Sequence, residues 1–113
     1  MLPRQYRLTN DKDFSRVYRL GKFFSGRELT LKIVANGLAV SRFGFVVSTK
    51  ISKKANVRNL LKRRLRALVW DSFKQLPSGL DVVVGTRAGA PLLSYDMLGE
   101  QLAWLFKKSL LLR

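Results

Sequence analysis

The sequence predicts a single α+β domain, spanning residues 1–113, in which helices pack on a small, mainly antiparallel sheet as a two-layer sandwich. A chain of 113 residues has the usual length of one domain, and its 47% hydrophobic content is enough for a core. Apolar residues recur at helical spacing in some segments and alternate with polar residues in others. The predicted order is helix, strand, strand, helix, strand, helix.

The first half of the chain predicts one helix followed by two strands. Asn10 suits the N-cap of the helix and Gly21 suits its end. Alternation of apolar and polar residues predicts the strands. Asn36-Gly37, between them, is typical of a hairpin turn, although the connection can run on through Ser41. The predicted ranges are 11–20 for the helix, and 29–35 and 42–49 for the strands.

The second half predicts a long helix, a Val-rich strand and a last helix. Pro77-Ser78-Gly79 ends the long helix, and Pro91 and Ser94 precede the last one. The predicted ranges are 56–74, 81–86 and 95–108. The large aromatic residues of both helices are interpreted as core, namely Trp70, Phe73, Trp104 and Phe106.

Composition limits the chemistry of this chain. It contains no cysteine and no histidine, which excludes disulfides and Cys-ligated zinc and removes the usual general base at neutral pH. Its seven carboxylates show no two-metal nuclease pattern, and Asp11 and Asp13 are interpreted as charges at a helix N-terminus. The N-terminus lacks the apolar core of a signal peptide, and no apolar run is long enough to span a membrane. We therefore expect a cytoplasmic protein without a membrane partner.

Charge indicates a polyanionic partner. The net charge is +15, from 22 basic and 7 acidic residues, and a polyanion would relieve this self-repulsion. Nucleic acid is the first candidate. An anionic membrane surface is the second, but it is disfavoured because the apolar side of the basic helix is needed for the core. The charge is most concentrated in KISKKANVRNLLKRRLR, residues 50–66, where eight of seventeen residues are Lys or Arg and none is acidic.

At about 100° per residue, the basic residues of the long helix fall on one side. Leu60 and Leu61 fall on the other side and are expected to face the sheet. Arg64 falls among the apolar residues and has no assigned role. A helix stabilised by i,i+4 ion pairs would mix charge signs, so we interpret the basic side as an RNA-binding face rather than a solvated one. That face comprises Arg58, Asn59, Lys62, Arg63 and Arg66, and the turn before it contains Lys50, Lys53 and Lys54.

Two aromatic residues of the first helix form a second candidate site. Phe14 and Tyr18 are i,i+4 neighbours and therefore form one patch. Single-strand binders combine such aromatic platforms with a positive groove. Phe14 fits a core position equally well, whereas the hydroxyl of Tyr18 favours a wet boundary.

The pattern of these residues resembles the bacterial ribonuclease P protein subunit, over most of the chain. The matching motifs are Arg7-Leu8, Asp13-Phe14, Val17-Tyr18 and Gly21-Lys22; Gly44, Val47-Ser48 and Lys50; Arg58-Asn59, Lys62-Arg63 and Arg66; and Asp81-Val82-Val83-Val84 with Arg87. Leu60 departs from the pattern at a position that is usually arginine, and Lys32 departs where some members have an aromatic residue. The loop over residues 51–57 is about one residue longer than usual.

The resemblance implies a fold like the second domain of ribosomal protein S5. It also implies a catalytic RNA partner, precursor tRNA as the substrate, and endonucleolytic removal of the 5′ leader. The RNA would hold the catalytic magnesium ions, and no obligate protein partner is expected. The basic helix and its preceding turn would bind RNA. The leader would lie between the first helix and the sheet, in a cleft containing Phe14, Tyr18, Lys32 and Ser48.

Two other functions remain open from the sequence. A small ribosomal-type protein that binds RNA without a role in cleavage would also need a basic helix. A nuclease made of protein alone would need a carboxylate cluster, which the sequence does not show.

Overall fold

The computed structural model describes residues 2–111, which form three α-helices and one four-stranded sheet. This arrangement confirms the predicted α+β class. The helices are α1 (Asp11–Leu20), α2 (Ala55–Ser72) and α3 (Tyr95–Leu111). The strands are β1 (Lys22–Ser25), β2 (Leu29–Ala35), β3 (Arg42–Val46) and β4 (Leu80–Thr86).

The predicted boundaries differ from the observed ones at several element ends. The strand predicted over 42–49 stops at Val46, and the helix predicted over 56–74 begins at Ala55 and gives way after Ser72 to a 3₁₀ turn, Phe73–Gln75. The last helix continues beyond Lys108 to Leu111. Helix α1 has the predicted bounds. It begins after Asn10, whose side-chain oxygen accepts a hydrogen bond from the Lys12 amide at 2.8 Å and so caps the helix.

The strand order β1-β2-β4-β3 shows that the hairpin interpretation of Asn36-Gly37 was wrong. β4 lies between β2 and β3, antiparallel to β2 and parallel to β3. Gly37 does form a turn, with a φ of 71° that favours glycine. The Asn36 side chain donates to the carbonyl of Val40 and to Asp81 of β4, which directs the connection across the end of β4.

β1 was not predicted from the sequence. It is an edge strand of four residues that pairs antiparallel with β2. It begins directly after Gly21, whose amide donates to the Val17 carbonyl at 2.7 Å and so ends α1. A Cβ atom at Gly21 would lie only 2.4 Å from that oxygen, so glycine permits the sharp change from helix to strand.

The two faces of the sheet are covered unequally. Helices α2 and α3 cover one face and bury the main core, to which Phe43 and Phe106 belong. α1 packs on the other face, over a smaller cluster of Leu8, Val17 and Val83. The core interpretation of Trp70 and Trp104 was wrong, since both are exposed. The main core includes Leu29, Leu31, Ile33, Leu61, Leu65, Val69, Val82, Val84, Leu98, Leu102 and Leu105.

A buried ion pair fixes α1 to the sheet. Asp81 of β4 is fully buried and accepts two hydrogen bonds from Arg42, at 2.9 and 2.7 Å. The same guanidinium reaches Asp13, in the first turn of α1, at 3.2 Å. The hydrogen bond to Asp81 is the main reason that the pKa of Arg42 is raised. Asp13 is therefore both a charge at the helix N-terminus and a partner of Arg42.

Candidate nucleic-acid interface

A trough of about 300 Å³ lies beside α1 on the less covered face of the sheet. The strand register places Phe23, Lys32 and Val83 side by side in one row across the sheet. The next row consists of Ser25, Thr30, Gly85 and Val46. The second row has small side chains, which leave space above this part of the sheet. The trough is lined by Tyr18, Phe23, Thr30, Lys32, Val46, Ser48, Val83, Gly85 and Thr86.

Tyr18 and Lys32 form one connected wall of the trough. The Lys32 ammonium donates to the Tyr18 carbonyl at 2.9 Å and lies 5.6 Å from the centre of the Tyr18 ring. Tyr18 as a whole is 47% exposed. Partial burial raises the pKa of the Tyr18 hydroxyl, so this group is neutral and can donate a hydrogen bond at neutral pH. The trough therefore offers an aromatic face with a positive charge beside it.

Phe14 lies next to the trough, not among the residues that line it. Its ring covers Gly44 so closely that a Cβ atom there would lie 2.5 Å from the Phe14 Cζ. The ring centres of Phe14 and Tyr18 are 6.5 Å apart. Phe14 thus packs α1 against the sheet and lies next to Tyr18. Tyr18, Lys32 and Ser48 lie together in the trough, as the sequence predicts.

Phe23 is a trough residue that the sequence did not single out. It belongs to the unpredicted strand β1 and is 52% exposed, opposite Lys32 in the register. The end of β1 is held by Arg87, whose guanidinium donates to the Ser25 hydroxyl at 2.7 Å. The adjacent pair Phe23-Phe24 was the available signal, because alternation along a strand turns one ring inward and the other outward.

The second candidate surface is the basic face of α2. It forms a shallow depression of about 520 Å³, whose five lining residues include Asn56, which the sequence did not single out. Burial lowers the pKa of the Arg66 guanidinium, and the positive charge of Arg7 lowers it further. This electrostatic crowding favours an anion at the site. The lining residues are Asn56, Asn59, Lys62, Arg63 and Arg66.

Arg58 does not line this depression, although the sequence groups it with the same face. Its side chain turns back and donates to the Ser52 carbonyl at 2.8 Å, which holds the turn before α2. That turn exposes all three predicted lysines, Lys50, Lys53 and Lys54. Arg58 therefore positions the lysine-bearing turn against the helix.

The expectation that Leu60 faces the sheet was wrong. Leu60 is 40% exposed, whereas Leu61, Leu65 and Val69 are buried. Spacing of four residues places these three side chains in one seam, which defines the packed side of α2. Arg64 is partly buried, and no structural feature assigns it a role.

The described residues, 2–111, place no three His, Cys, Asp or Glu side chains close enough together to hold a metal ion. No helix within them is long and apolar enough to cross a membrane.

Comparison with known proteins shows which family the chain resembles. The chain matches the family described as ribonuclease P over residues 2–110. The ribonuclease P protein component of a Pseudanabaena species is 40% identical over 110 residues, covering 96% of this chain and 95% of that protein.

Solved structures give the same result. The Staphylococcus aureus RNase P protein superposes with a TM-score of 0.84 at 26% identity, covering 92% of this chain and 94% of that one. The Thermotoga maritima RNase P protein gives 0.82 at 30% identity, covering 90% and 96%. The chain therefore belongs to the ribonuclease P protein family.

Proposed function

We propose that this chain is the protein subunit of a ribonuclease P ribonucleoprotein, the endoribonuclease that removes the 5′ leader from precursor tRNA in the cytoplasm. The observation that carries the proposal is the separation of two surfaces: a trough with aromatic walls beside α1, and a basic face on α2. The first suits an unpaired strand, and the second suits the backbone of a folded RNA.

The leader of precursor tRNA would lie in the trough. An unpaired nucleotide exposes a base that can stack on Tyr18 or Phe23, both of which are about half exposed. Lys32 lies between these rings and can neutralise a phosphate, while the small floor of Thr30 and Gly85 leaves room for the strand. A rigid double helix would not place its base faces against these rings.

The RNA subunit would bind the basic face of α2 and the lysine-bearing turn. Lys62, Arg63 and Arg66 supply three positive charges around one depression, and Asn59 supplies an amide. Arginine guanidinium groups are well suited to phosphate because they donate several hydrogen bonds in a fixed plane. The lysines of the turn extend the contact towards the mouth of the trough, where Ser48 lies.

The donor set of this chain does not fit catalytic magnesium. Asp81 and Asp13 both pair with Arg42, and the described carboxylates do not cluster. Magnesium prefers several oxygen ligands with a net negative charge, whereas both candidate surfaces are basic. We therefore propose that the RNA subunit holds the magnesium ions of the holoenzyme, and that the protein supports their use by binding the leader.

Reconstitution tests the proposal directly. The chain is mixed with a bacterial ribonuclease P RNA and a precursor tRNA that carries a leader, at a magnesium concentration too low for efficient cleavage by the RNA alone. We expect cleavage at the mature 5′ end with both subunits and none with the protein alone. RNA binding without any effect on cleavage, across salt and magnesium concentrations, would instead indicate a ribosomal-type binding protein.

A further inference from the structure

The outer face of α3 exposes two large apolar side chains. Met97 and Trp104 are each 53% exposed, and their spacing of seven residues places them on the same side of the helix. The buried side of α3 is opposite, with Leu98, Leu102 and Leu105 in the core. Tryptophan and methionine are typical of binding surfaces, so this face is a candidate for an interaction.

The charges on this face are divided between its two ends. Asp96 and Glu100 lie in the first half of α3, whereas Lys107 and Lys108 lie in the second, and all four are exposed. The Lys108 ammonium lies 4.8 Å from the centre of the Trp104 ring. Because these charges cancel, the face lacks the excess of positive charge that α2 offers to a polyanion.

A groove beside Trp104 gives the face a concave part. It has a volume of about 400 Å³ and separates α3 from the turn between β1 and β2, at Arg27 and Glu28. The groove is pre-formed, since the Gln101 side-chain oxygen accepts hydrogen bonds from the amides of Glu28 and Leu29 at 2.6 and 2.7 Å. A two-fold interface requires a self-complementary surface, and a ridge next to a groove is one shape that meets this requirement.

We propose that this face binds a second copy of the chain, with the two α3 helices antiparallel across a two-fold axis near Trp104. In this arrangement Glu100 of each copy faces Lys108 of the partner subunit, because the two residues lie four positions before and after the axis. The acidic end of each helix meets the basic end of the other. The antiparallel helix dipoles also attract.

The expected dimer is weak. A helix of 17 residues is about 25 Å long, so pairing along it buries roughly 1,000 Å² in total, at the low end for specific interfaces. The net charge of +15 on each copy opposes association. Salt screens this long-range repulsion, and therefore strengthens the dimer overall even though it weakens the exposed Glu100–Lys108 pairs.

Sedimentation velocity of the full chain without RNA tests the proposal. Over protein concentrations of about 10 to 300 μM, we expect a dimer fraction that rises with concentration and rises further in high salt. Trp104→Ala should weaken association at least tenfold. Leu20→Ala is the matched control, because Leu20 is also an exposed apolar side chain on a helix, and it should leave association unchanged.

A charge exchange tests the antiparallel register. Glu100→Lys and Lys108→Glu should each weaken association, and the double variant should restore it. A chain that stays monomeric in both salt conditions would overturn the proposal, as would a Trp104→Ala variant that associates like the parent. If Trp104→Ala weakens RNA binding and leaves self-association unchanged, the face belongs to RNA. Because no RNA or substrate is needed, failure here leaves the proposed ribonuclease P function intact.

Discussion

The trough and the basic face of α2 differ in how they are built. Four strands and one helix contribute to the trough or support it, so its shape depends on the position of α1 and on the register of β1, β2 and β4. The basic face belongs to a single helix, whose charged side chains need only a straight backbone. A site that stacks on bases thus requires side chains from several elements at exact positions. A site that binds phosphates requires only several positive charges close together.

This difference implies that the two surfaces respond to different perturbations. Binding at the trough should depend on ring geometry, and its salt dependence should come mainly from Lys32, the one charged side chain among the lining residues. Binding at the basic face should depend steeply on salt, because it releases counterions from the RNA. Variants can therefore affect one surface and spare the other.

Asp81→Ala should have the largest effect, because Asp81 is the buried partner that positions Arg42, and Arg42 in turn links α1 to the sheet through Asp13. It leaves Arg42 without its main partner, and we expect the free energy of unfolding to fall by about 2 to 4 kcal/mol, less than for a fully buried pair because Arg42 keeps some access to water. Urea titration measures the change. Asp96→Ala is the control, since this carboxylate is exposed and acts only as a charge in the first turn of α3, and it should change stability by less than about 1 kcal/mol. Equal stability of Asp81→Ala and the parent would contradict the anchoring role.

Tyr18→Ala should weaken holoenzyme binding of precursor tRNA by about 1 to 3 kcal/mol, if one base stacks on the ring. Binding of mature tRNA, which has no leader, should not change. Leu20→Ala tests for a general effect of truncating an exposed side chain on the same helix, and should be neutral. An equal loss for precursor and mature tRNA would show that Tyr18 supports the fold instead of the leader.

The double variant Lys62→Ala and Arg66→Ala should reduce the salt dependence of binding to the RNA subunit. If each side chain meets one phosphate, the slope of log K against log salt should decrease by about 1 to 2. Truncating Lys12 and Lys74 removes two exposed lysines from outside this face and serves as the control. An unchanged slope in the double variant would mean that the face is merely solvated.

Lys32→Met should have the smallest effect. It keeps the length of the side chain but removes the hydrogen bond to the Tyr18 carbonyl, which is worth about 0.5 to 1.5 kcal/mol. We expect a smaller loss of precursor binding than for Tyr18→Ala, together with a lower salt dependence of that binding. Precursor titrations at two salt concentrations measure both, and a loss as large as that of Tyr18→Ala would make Lys32 the principal contact.

Sequence periodicity predicted the regular elements well where local signals were strong. α1 has a capping residue at Asn10 and a glycine at its end, and β2 has inward-facing apolar residues at every second position from Leu29 to Ile33, so their ranges were confirmed. Charge density likewise indicated Lys62, Arg63 and Arg66 as one surface, which the structure confirms. These features depend on neighbours within the same segment, and local sequence therefore contains them.

The features that were missed depend on tertiary pairing. β1 has only four residues, so the alternation of Phe23 and Phe24 is a weak signal by itself, and the strand forms because its backbone pairs with β2. Asn36-Gly37 is a dipeptide typical of hairpin turns, but β4 lies between β2 and β3, the two strands that this segment connects. The helical wheel misplaced the packed side of α2: it turned Leu60 towards the sheet, and it grouped Arg58 with basic residues whose depression Arg58 does not line.

The most direct test of the division between the two surfaces is a double comparison in the holoenzyme. One variant combines Tyr18→Ala with Phe23→Ala, and the other combines Lys62→Ala with Arg66→Ala. For each, the affinity for the RNA subunit and the preference for precursor over mature tRNA are measured. We predict that the first variant loses the preference and keeps RNA-subunit affinity, and that the second does the reverse. Loss of both properties in both variants would contradict the account.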